Sequence, residues 1–242
     1  MSKNRLKSNQ ILIGALTLLV TVVLLLTLLR CCHVILCVGN SYKLCFSTTY
    51  RVDELDGVHG INDENISEIR YMKNLKHFSA MYTNLNSIDF VKDFSKLESL
   101  SYCSDSNHPE YKVRSIPKLD NFDNLVYVYL HDVGVDNLDF LSDCPNLEYL
   151  TVITYDTEIT DISGLANKKK LKTIHFRNTN CSDYSVLLEL PELEYLEINE
   201  NELPTDIKNK LLHKNVKIDE MPDRDPDSPP TCQVDSAKKC SM

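Results

Sequence analysis

The sequence predicts an α/β solenoid preceded by one membrane-spanning helix, and three observations support this prediction. An apolar pattern returns at a nearly constant interval between Asn124 and Asn201, beginning with Leu125-x-x-Val128-x-Leu130. The apolar positions of successive units form continuous columns, and a long uncharged stretch precedes them. A fixed repeat of this kind indicates stacked units, each of which covers the apolar face of the one before it.

The uncharged stretch, Ile11–Leu29, is long enough to cross a bilayer as a helix. At 1.5 Å per residue it extends about 28 Å, close to the roughly 30 Å thickness of the hydrocarbon core. A cleaved signal peptide is the alternative, but the apolar part of a signal peptide is normally about 7–15 residues and precedes a small-residue cleavage motif. No clear motif of that kind follows here, so the sequence favours an uncleaved anchor over residues 11–38.

Charge on the two sides of the apolar stretch predicts its orientation. Lys3, Arg5 and Lys7 lie on the amino-terminal side, whereas Arg30 and Lys43 are the nearest positive charges on the other side. Basic residues favour the cytoplasmic flank, so we expect a single-pass membrane protein with a cytoplasmic amino terminus and extracellular repeats. The alternative is a cytoplasm-facing adaptor with the same solenoid and reversed topology.

Net charge and composition argue against several classes of partner. The chain carries −9 overall and residues 1–39 carry +4, so the remainder carries −13. Because phosphate binding needs clustered Lys and Arg, we expect no nucleic acid partner, and we interpret the run 168–170 of three lysines as a solvated turn. The six glycines are scattered and form no phosphate-binding loop. We expect neither a cofactor nor a small-molecule substrate.

We predict that the nine cysteines form neither a metal site nor a disulfide framework. Their number is odd and their spacing irregular, unlike a disulfide scaffold or a paired Cys-x-x-Cys zinc site. Cys181 falls in a core column and is expected to be a small buried hydrophobe. Cys232 and Cys240 are candidates for a disulfide in an oxidising compartment. The residues interpreted as membrane-interface residues rather than metal ligands are Cys31, Cys32, His33 and Cys37.

Two motifs connect the repeat to a known family. Leu193–Leu203 satisfies L-x-x-L-x-L-x-x-N-x-L in full, and Ile159–Leu165 contains I-x-D-I-x-x-L. The first resembles the leucine-rich repeat, and the second resembles the 22-residue subclass of bacterial internalins. The resemblance implies a horseshoe with a parallel sheet on its concave side, irregular or 3-10 segments on its convex side, and a concave face that binds protein. The asparagine that usually follows the strand is replaced in most units, at Thr83, Asp105, Val133 and Thr179.

The repeat divides the chain into seven parts. The longest repeat unit contains Pro109 in residues 107–112, which we predict to protrude as a loop. The repeat units begin at Asn74, Lys96, Asn124, Asn146, Lys170 and Glu192. The parts are a basic flank (1–10), the anchor (11–38), a connector (39–55), an amino-terminal cap (56–73), the repeats (74–204), a carboxy-terminal cap (205–220) and a disordered tail (221–242).

Alternate side chains of each predicted strand face the core and the concave surface. One core column is predicted to contain Phe78, Leu100, Val128, Leu150, Ile174 and Leu196. The outward positions are rich in tyrosine and histidine, a composition typical of protein-recognition patches, although tyrosine also favours strands in general. The candidate binding residues are Tyr127, Tyr129, His131, Tyr149, His175, Arg177 and Tyr195.

An enzymatic alternative places Cys103 beside His131 on adjacent strands, followed by Asp132. A nucleophile, a base and an orienting carboxylate are the parts of a cysteine hydrolase. An open sheet provides no pocket and no obvious oxyanion donors, however, so we predict no catalysis. The sequence therefore favours a membrane-anchored recognition or adhesion module at the cell surface.

Overall fold

The computed structural model describes residues 2–31, 35–38, 41–44, 54–58, 61–63, 66–105, 110 and 112–221. Helix α1 (Ser2–Cys31) is followed by an antiparallel pair, β1 (Ile35–Val38) and β2 (Ser41–Leu44). The residues predicted as anchor, 11–38, thus comprise most of α1 together with β1. Within the described ranges, no helix is both long and apolar enough to cross a membrane, and the anchor stays a prediction.

An eight-stranded parallel sheet forms the rest of the fold. Its strands lie in chain order from one edge to the other, so each strand pairs with the strand of the next unit. The strands are β3 (Glu54–Val58), β4 (His77–Thr83), β5 (Ser99–Ser104), β6 (Tyr127–His131), β7 (Tyr149–Ile153), β8 (Thr173–Arg177), β9 (Tyr195–Glu197) and β10 (Lys217–Asp219).

The register confirms the predicted core column. Phe78 pairs with Leu100, Leu100 with Val128, and the series continues to Leu196 without a break. Every member of this column is at most 1% exposed. Because one apolar side chain from each unit stacks on the next, burial is continuous along the solenoid, and this burial stabilises units that could not fold alone.

The convex side consists of short 3-10 helices, as the resemblance implied. Several begin with a side chain two residues upstream that accepts the first backbone N–H: Asp161 Oδ1 accepts from Ser163 at 2.8 Å, and Asp183 Oδ1 accepts from Ser185 at 2.7 Å. Each hydrogen bond lowers the pKa of the aspartate that accepts it. The 3-10 helices are Ile66–Tyr71, Asp89–Asp93, Asp139–Leu141, Ser163–Leu165, Ser185–Glu189 and Glu200–Glu202.

Glu202 replaces part of the missing asparagine ladder. Its Oε2 accepts hydrogen bonds from the backbone N–H of Thr179 at 2.9 Å and from the Thr179 hydroxyl at 2.7 Å. Tyr184 also donates its hydroxyl hydrogen to Thr179 Oγ1, at 3.2 Å. A carboxylate and a phenol thus satisfy polar groups that the repeat motif normally assigns to a single amide side chain.

Two strands extend the sheet beyond the six that the repeat motif predicts. β3 adds to the edge of β4 before the first complete unit, and β10 adds to β9 after the last. Between β9 and β10, in the predicted carboxy-terminal cap, lies α2 (Thr205–His213), which buries Ile207 and Leu211 and packs against the 3-10 helix Ser185–Glu189 and against β10. The terminal units are therefore closed by elements with a polar outer side.

Lys168 does not lie in a solvated turn as predicted. Its side chain is buried and Nζ donates to the carbonyl oxygen of Ser142 at 2.8 Å. The backbone hydrogen bonds show the reason: Lys168 occupies the turn position that is Phe94 and Cys144 in earlier units, and that position faces the core. Lys169, the next residue, is exposed.

The predicted loop at 107–112 is described only at Glu110 and Lys112. Glu110 is exposed, but Lys112 is buried, which contradicts the prediction at that residue. The reason is an ion-pair cluster: Lys112 Nζ lies 2.8 Å from carboxylate oxygens of both Asp132 and Asp156. Of the predicted disordered tail, 221–242, only Met221 is described, and it departs from the prediction: it is buried and its backbone N–H donates to the carbonyl oxygen of Ile198 at 3.4 Å.

Cys103 is disulfide-bonded, whereas Cys144 and Cys181 are free. This disulfide by itself is not a framework, but it was not predicted. Pairing depends on distance in the folded chain rather than on spacing in the sequence, which is why the spacing did not indicate it. Cys181 packs against the core, as predicted, but it is only partly buried. The other predictions about cysteine fall on side chains outside those described.

Candidate functional site

The concave face of the sheet has two parts with different exposure. Tyr129 and His131 on β6 are buried, 8% and 4% exposed, which differs from the predicted exposed band. Aromatic packing against each other and against Tyr155 accounts for part of this burial. The remaining candidates are half-exposed, and we call these five residues the concave band: Tyr127, Tyr149, His175, Arg177 and Tyr195.

Within the concave band, two tyrosines lie side by side at the start of neighbouring strands. Tyr127 and Tyr149 are register partners, and their ring centroids lie 6.5 Å apart with the planes inclined by 44°. Beside them Lys172 Nζ pairs with Glu148 at 2.8 Å. The pair therefore presents two adjacent aromatic rings with a charged border, an arrangement suited to covering an apolar side chain of a partner.

The second part lies on β8 and β9, next to β10. His175 Nδ1 contacts Glu197 Oε2, and the His175 ring packs against Tyr195 with centroids 5.3 Å apart. Burial, followed by the hydrogen bond to Asp219, raises the pKa of Tyr195 to about 12, so its hydroxyl keeps its hydrogen at neutral pH. That hydroxyl donates to Asp219 Oδ2 at 3.1 Å, and Lys217 lies over the ring, 5.0 Å from its centroid.

Tyr129, His131 and Tyr155 form a buried aromatic cluster beside the concave band. The rings of Tyr129 and His131 are stacked, 6.2 Å apart and 7° from parallel, and Tyr155 packs edge-on against His131 at 5.5 Å. Arg177 lies 5.6 Å above the Tyr155 ring, which connects the cluster to the concave band by a cation–π contact. Burial, with nearby Tyr127 as a second cause, raises the pKa of Tyr129.

The structure brings Cys103 and His131 together, as the hydrolase alternative required, but not as a nucleophile and its base. Cys103 Sγ lies 3.5 Å from His131 Nδ1, yet this sulfur is in a disulfide and carries no thiol hydrogen to give up. His131 Nε2 faces the Tyr155 hydroxyl at 3.2 Å, and Asp132 pairs with Lys112. These partners argue against a cysteine hydrolase at this position.

Sequence reasoning missed Tyr155 and Tyr82. Tyr155 lies beyond the end of β7, outside the repeating columns, so no periodic signal identifies it. Tyr82 is 37% exposed and has a φ of 51°, a left-handed conformation that is costly for a residue with a side chain. The register of β4 against β5 shifts between Ala80 and Thr83, so this conformation belongs to an irregularity of β4 that only the structure reveals. Over the described residues, no group of three or more His, Cys, Asp or Glu side chains is placed to hold a metal ion.

No family model matches the chain, and no curated protein matches it. Solved structures give weaker likenesses. Internalin C2 of Listeria monocytogenes has 17% identity and a TM-score of 0.48 over 71% of this chain and 79% of its own. A second internalin of that organism has 20% identity and a TM-score of 0.45, and a leucine-rich repeat protein of Leptospira interrogans has 17% and 0.43.

The last two comparisons cover 64% and 63% of this chain, but only 50% and 44% of those longer proteins. The repeat motif, the parallel sheet with one strand per unit and the 3-10 convex side agree with one another. The fold is a leucine-rich repeat solenoid. The fold alone does not assign a function, which depends on the side chains that its surface presents.

Proposed function

We propose that this leucine-rich repeat protein is a membrane-anchored recognition module that binds another protein through the concave band. The observation that carries the proposal is the concave band itself: three tyrosines, a histidine and an arginine, half-exposed on neighbouring parallel strands. Tyrosine and arginine are among the side chains most enriched in residues that dominate binding energy at protein interfaces. No catalytic role is part of the proposal.

A protein partner fits the concave band better than a small ligand does. The band extends over four strands, from β6 to β9, which corresponds to about 14 Å across a sheet with a roughly 4.8 Å spacing. Its rings are held by contacts within the chain, Tyr149 by Tyr127 and Tyr195 by His175. Side chains that are already ordered lose less entropy on binding, which favours association with a broad surface.

The anchor is supported by the apolar side chains of α1. From Ile13 to Leu28 its described leucines, valines and isoleucine are all strongly exposed, and Leu18 reaches 67%. A helix whose apolar side chains have no covering is stabilised by lipid rather than by water. The disulfide at Cys103 supports placing the repeats outside the cell, because disulfides persist in oxidising compartments.

The finer assignment to the internalin-like repeat subclass also belongs to this proposal. Register partners separated by the repeat length of that subclass support it, such as Tyr127 with Tyr149 and Thr173 with Tyr195. The subclass favours a bacterial cell-surface role in adhesion or interaction, which is the role we propose for this chain.

Site-specific photo-crosslinking tests the concave band. A benzophenone amino acid replaces Tyr149 in the full chain in cells, and a matched variant carries it at Asp139, which is exposed on the convex side. We expect a discrete covalent adduct with a second protein from Tyr149 and none from Asp139. Adducts from Asp139 alone would place recognition on the convex side and contradict the proposal.

Once that partner is identified, Tyr127→Ala combined with Tyr149→Ala is expected to weaken binding by at least about 2 kcal/mol, roughly thirtyfold in Kd. The two rings are half-exposed, so the melting temperature should change little. Isothermal titration calorimetry and thermal unfolding of the same samples separate the two effects. Unchanged affinity in the double variant would contradict the proposed site.

Protease accessibility on intact cells tests the orientation, using an epitope tag at Met242. We expect the tag and the solenoid to be digested without lysis, since the proposal places both outside. Protection until lysis would reverse the topology and favour a cytoplasm-facing adaptor. Recovery of a chain lacking residues 1–39 from the medium would contradict the anchor.

A further inference from the structure

Lys112 is a buried lysine within the longest repeat unit. Its side chain is 4% exposed, and Nζ lies 2.8 Å from Asp132 Oδ1 and 2.8 Å from Asp156 Oδ2. Burial lowers the pKa of Lys112, but hydrogen bonds to the two carboxylates outweigh this effect, so that the pKa is raised. The amine is therefore charged at neutral pH and bridges two turns of the solenoid.

The two carboxylates follow two rings of the buried aromatic cluster directly in the chain. Asp132 comes after His131, and Asp156 comes after Tyr155. The two rings contact each other, with the Tyr155 hydroxyl 3.2 Å from His131 Nε2. Lys112 therefore closes a circle of contacts, which joins the ends of β6 and β7 once through aromatic side chains and once through ion pairs.

The backbone beside Lys112 is also fixed. Val113 is fully buried, and its carbonyl oxygen accepts the backbone N–H of Gly134 at 2.8 Å. The N–H of Asp132 donates to the carbonyl oxygen of Ile153 at 2.8 Å, which joins the turn after β6 to β7. The amine thus has a defined place from which it holds Asp156, whose side chain is 67% exposed.

Tyr155 connects this circle of contacts to the concave band. The guanidinium of Arg177, a member of the band, lies 5.6 Å from the centroid of the Tyr155 ring. His131 holds the hydroxyl end of Tyr155, and the ion pair of Asp156 holds the adjoining backbone, so the ring is a fixed surface for the cation. A side chain that is fixed before binding loses less conformational entropy when a partner binds.

We propose that Lys112 is a positioning residue for the concave band, which sets Tyr155 and, through it, the orientation of Arg177 that a partner protein meets. Lys112 is buried and does not touch the partner itself. Binding sites depend on such supporting contacts behind the side chains that meet the ligand. The role in recognition rests on the proposed function, whereas the positioning of Arg177 is a property of the chain alone.

Nuclear magnetic resonance of the full chain in detergent micelles tests the positioning. Lys112→Met combined with Asp132→Asn removes the cation and the buried carboxylate together, so no buried charge is left unpaired. We expect the heteronuclear NOE of Arg177 Nε–H to fall by about half, and Lys112→Arg to retain the wild-type value. If the double variant does not fold, Asp156→Ala, at an exposed side chain, decides the question. An unchanged NOE in the variant used would overturn the proposal.

Lys118→Met is the matched control. Lys118 also lies between two carboxylates, 3.1 Å from Asp120 and 2.9 Å from Asp143, but its side chain is exposed and lies outside the circle of contacts. We expect the signal of Arg177 to keep its wild-type NOE in this variant. An equal loss of order in Lys118→Met would overturn the assignment, because loss of any paired lysine would then have the same effect.

Photo-crosslinking from Tyr149 tests the role in recognition. With a benzophenone amino acid at Tyr149 in cells, the yield of the adduct should fall about fivefold when Lys112 and Asp132 are changed together, and Lys118→Met should not alter it. An unchanged yield with a more mobile Arg177 would overturn the role in recognition. Absence of any adduct from the chain with benzophenone alone would instead contradict the proposed function, and the NOE would still decide whether Lys112 positions Arg177.

Discussion

Lys168 is a charged residue at a turn position that other described units fill with an apolar residue, such as Phe94 or Cys144. Its amine is buried and donates to Ser142, and burial lowers the pKa of Lys168. A lowered pKa means that the unfolded chain holds the proton more tightly than the folded chain does. The residue therefore opposes folding at neutral pH, and this opposition decreases as pH rises toward the ordinary lysine pKa of about 10.5.

Lys168→Met should therefore raise the free energy of unfolding by about 1–2 kcal/mol at pH 7, because it removes a desolvated charge and keeps the volume. Urea unfolding at several pH values measures this. The advantage of the variant should narrow between pH 7 and pH 10, as the wild-type amine loses its proton. Lys169→Met, at an exposed position, is the control and should have little effect. A destabilised Lys168→Met would show that the bond to Ser142 outweighs the cost of burial.

At the scale of elements, a very close backbone approach lies between two convex turns. A Cβ atom added to Gly164 would lie 2.0 Å from the carbonyl oxygen of Leu138 and 2.9 Å from the backbone nitrogen of Asp139. These are backbone atoms, which cannot move aside independently. The contact limits how closely the 3-10 helices Asp139–Leu141 and Ser163–Leu165 can stack, and only glycine fits there.

Gly164→Ala is expected to destabilise the solenoid by about 3 kcal/mol or more, since the turns must separate to admit the methyl group. Gly134→Ala is the matched control: its nearest contact would be Arg114 Cγ at 3.4 Å, an ordinary distance to a flexible side chain. Chemical unfolding of both variants gives the comparison. Similar stability of the two would mean that the turns adjust at little cost.

Sequence periodicity predicted the elements well where alternation was strict and poorly where it ended. The repeat units of β4 to β9 each contain two core positions in the motif, so the register of the core column that begins at Phe78 was predicted correctly. The shift of β4 against β5 between Ala80 and Thr83 was not predicted. β3 and β10 lack the full motif because they belong to the ends of the solenoid, where only one side is covered. Lys168 was missed for the opposite reason, since its charge concealed a core position.

The candidate site was predicted less completely, because exposure depends on side chains outside the columns. The sequence placed Tyr129 and His131 on the concave face, where they are, but could not show that Tyr155 packs against His131. Similarly, Cys103 and His131 were expected to be neighbours, yet the disulfide that changes their chemistry was not. Alternation along a strand determines which face a side chain is on, whereas its surroundings depend on turns of variable length.

At the scale of the whole molecule, the solenoid depends on its closed ends. α2 packs against the 3-10 helix Ser185–Glu189 and against β10, with Leu211 fully buried and its neighbour Leu212 47% exposed. An uncapped solenoid would present its last apolar column to water. The carboxy-terminal cap therefore stabilises every unit before it, since each unit is covered by the next.

Leu211→Asp should lower the free energy of unfolding by about 3–5 kcal/mol, because it places a carboxylate in the last apolar layer. Leu212→Asp makes the same substitution at the next residue, which is exposed, and should have little effect. Circular dichroism during thermal unfolding distinguishes the two variants. If both variants have the melting temperature of the wild-type chain, α2 does not stabilise the end of the solenoid.

The register of the sheet is independent of the length of the segment between strands. The segment that joins β6 to β7 is short, the one that joins β7 to β8 is slightly longer, and the one that joins β5 to β6 is longer still. Their first residues nevertheless remain in line, from Ser99 through Tyr127 and Tyr149 to Thr173. Additional residues are accommodated in the turns and do not shift the strands. The scaffold is thus tolerant of insertion, and new segments can be added in the turns while the geometry of the concave band stays unchanged.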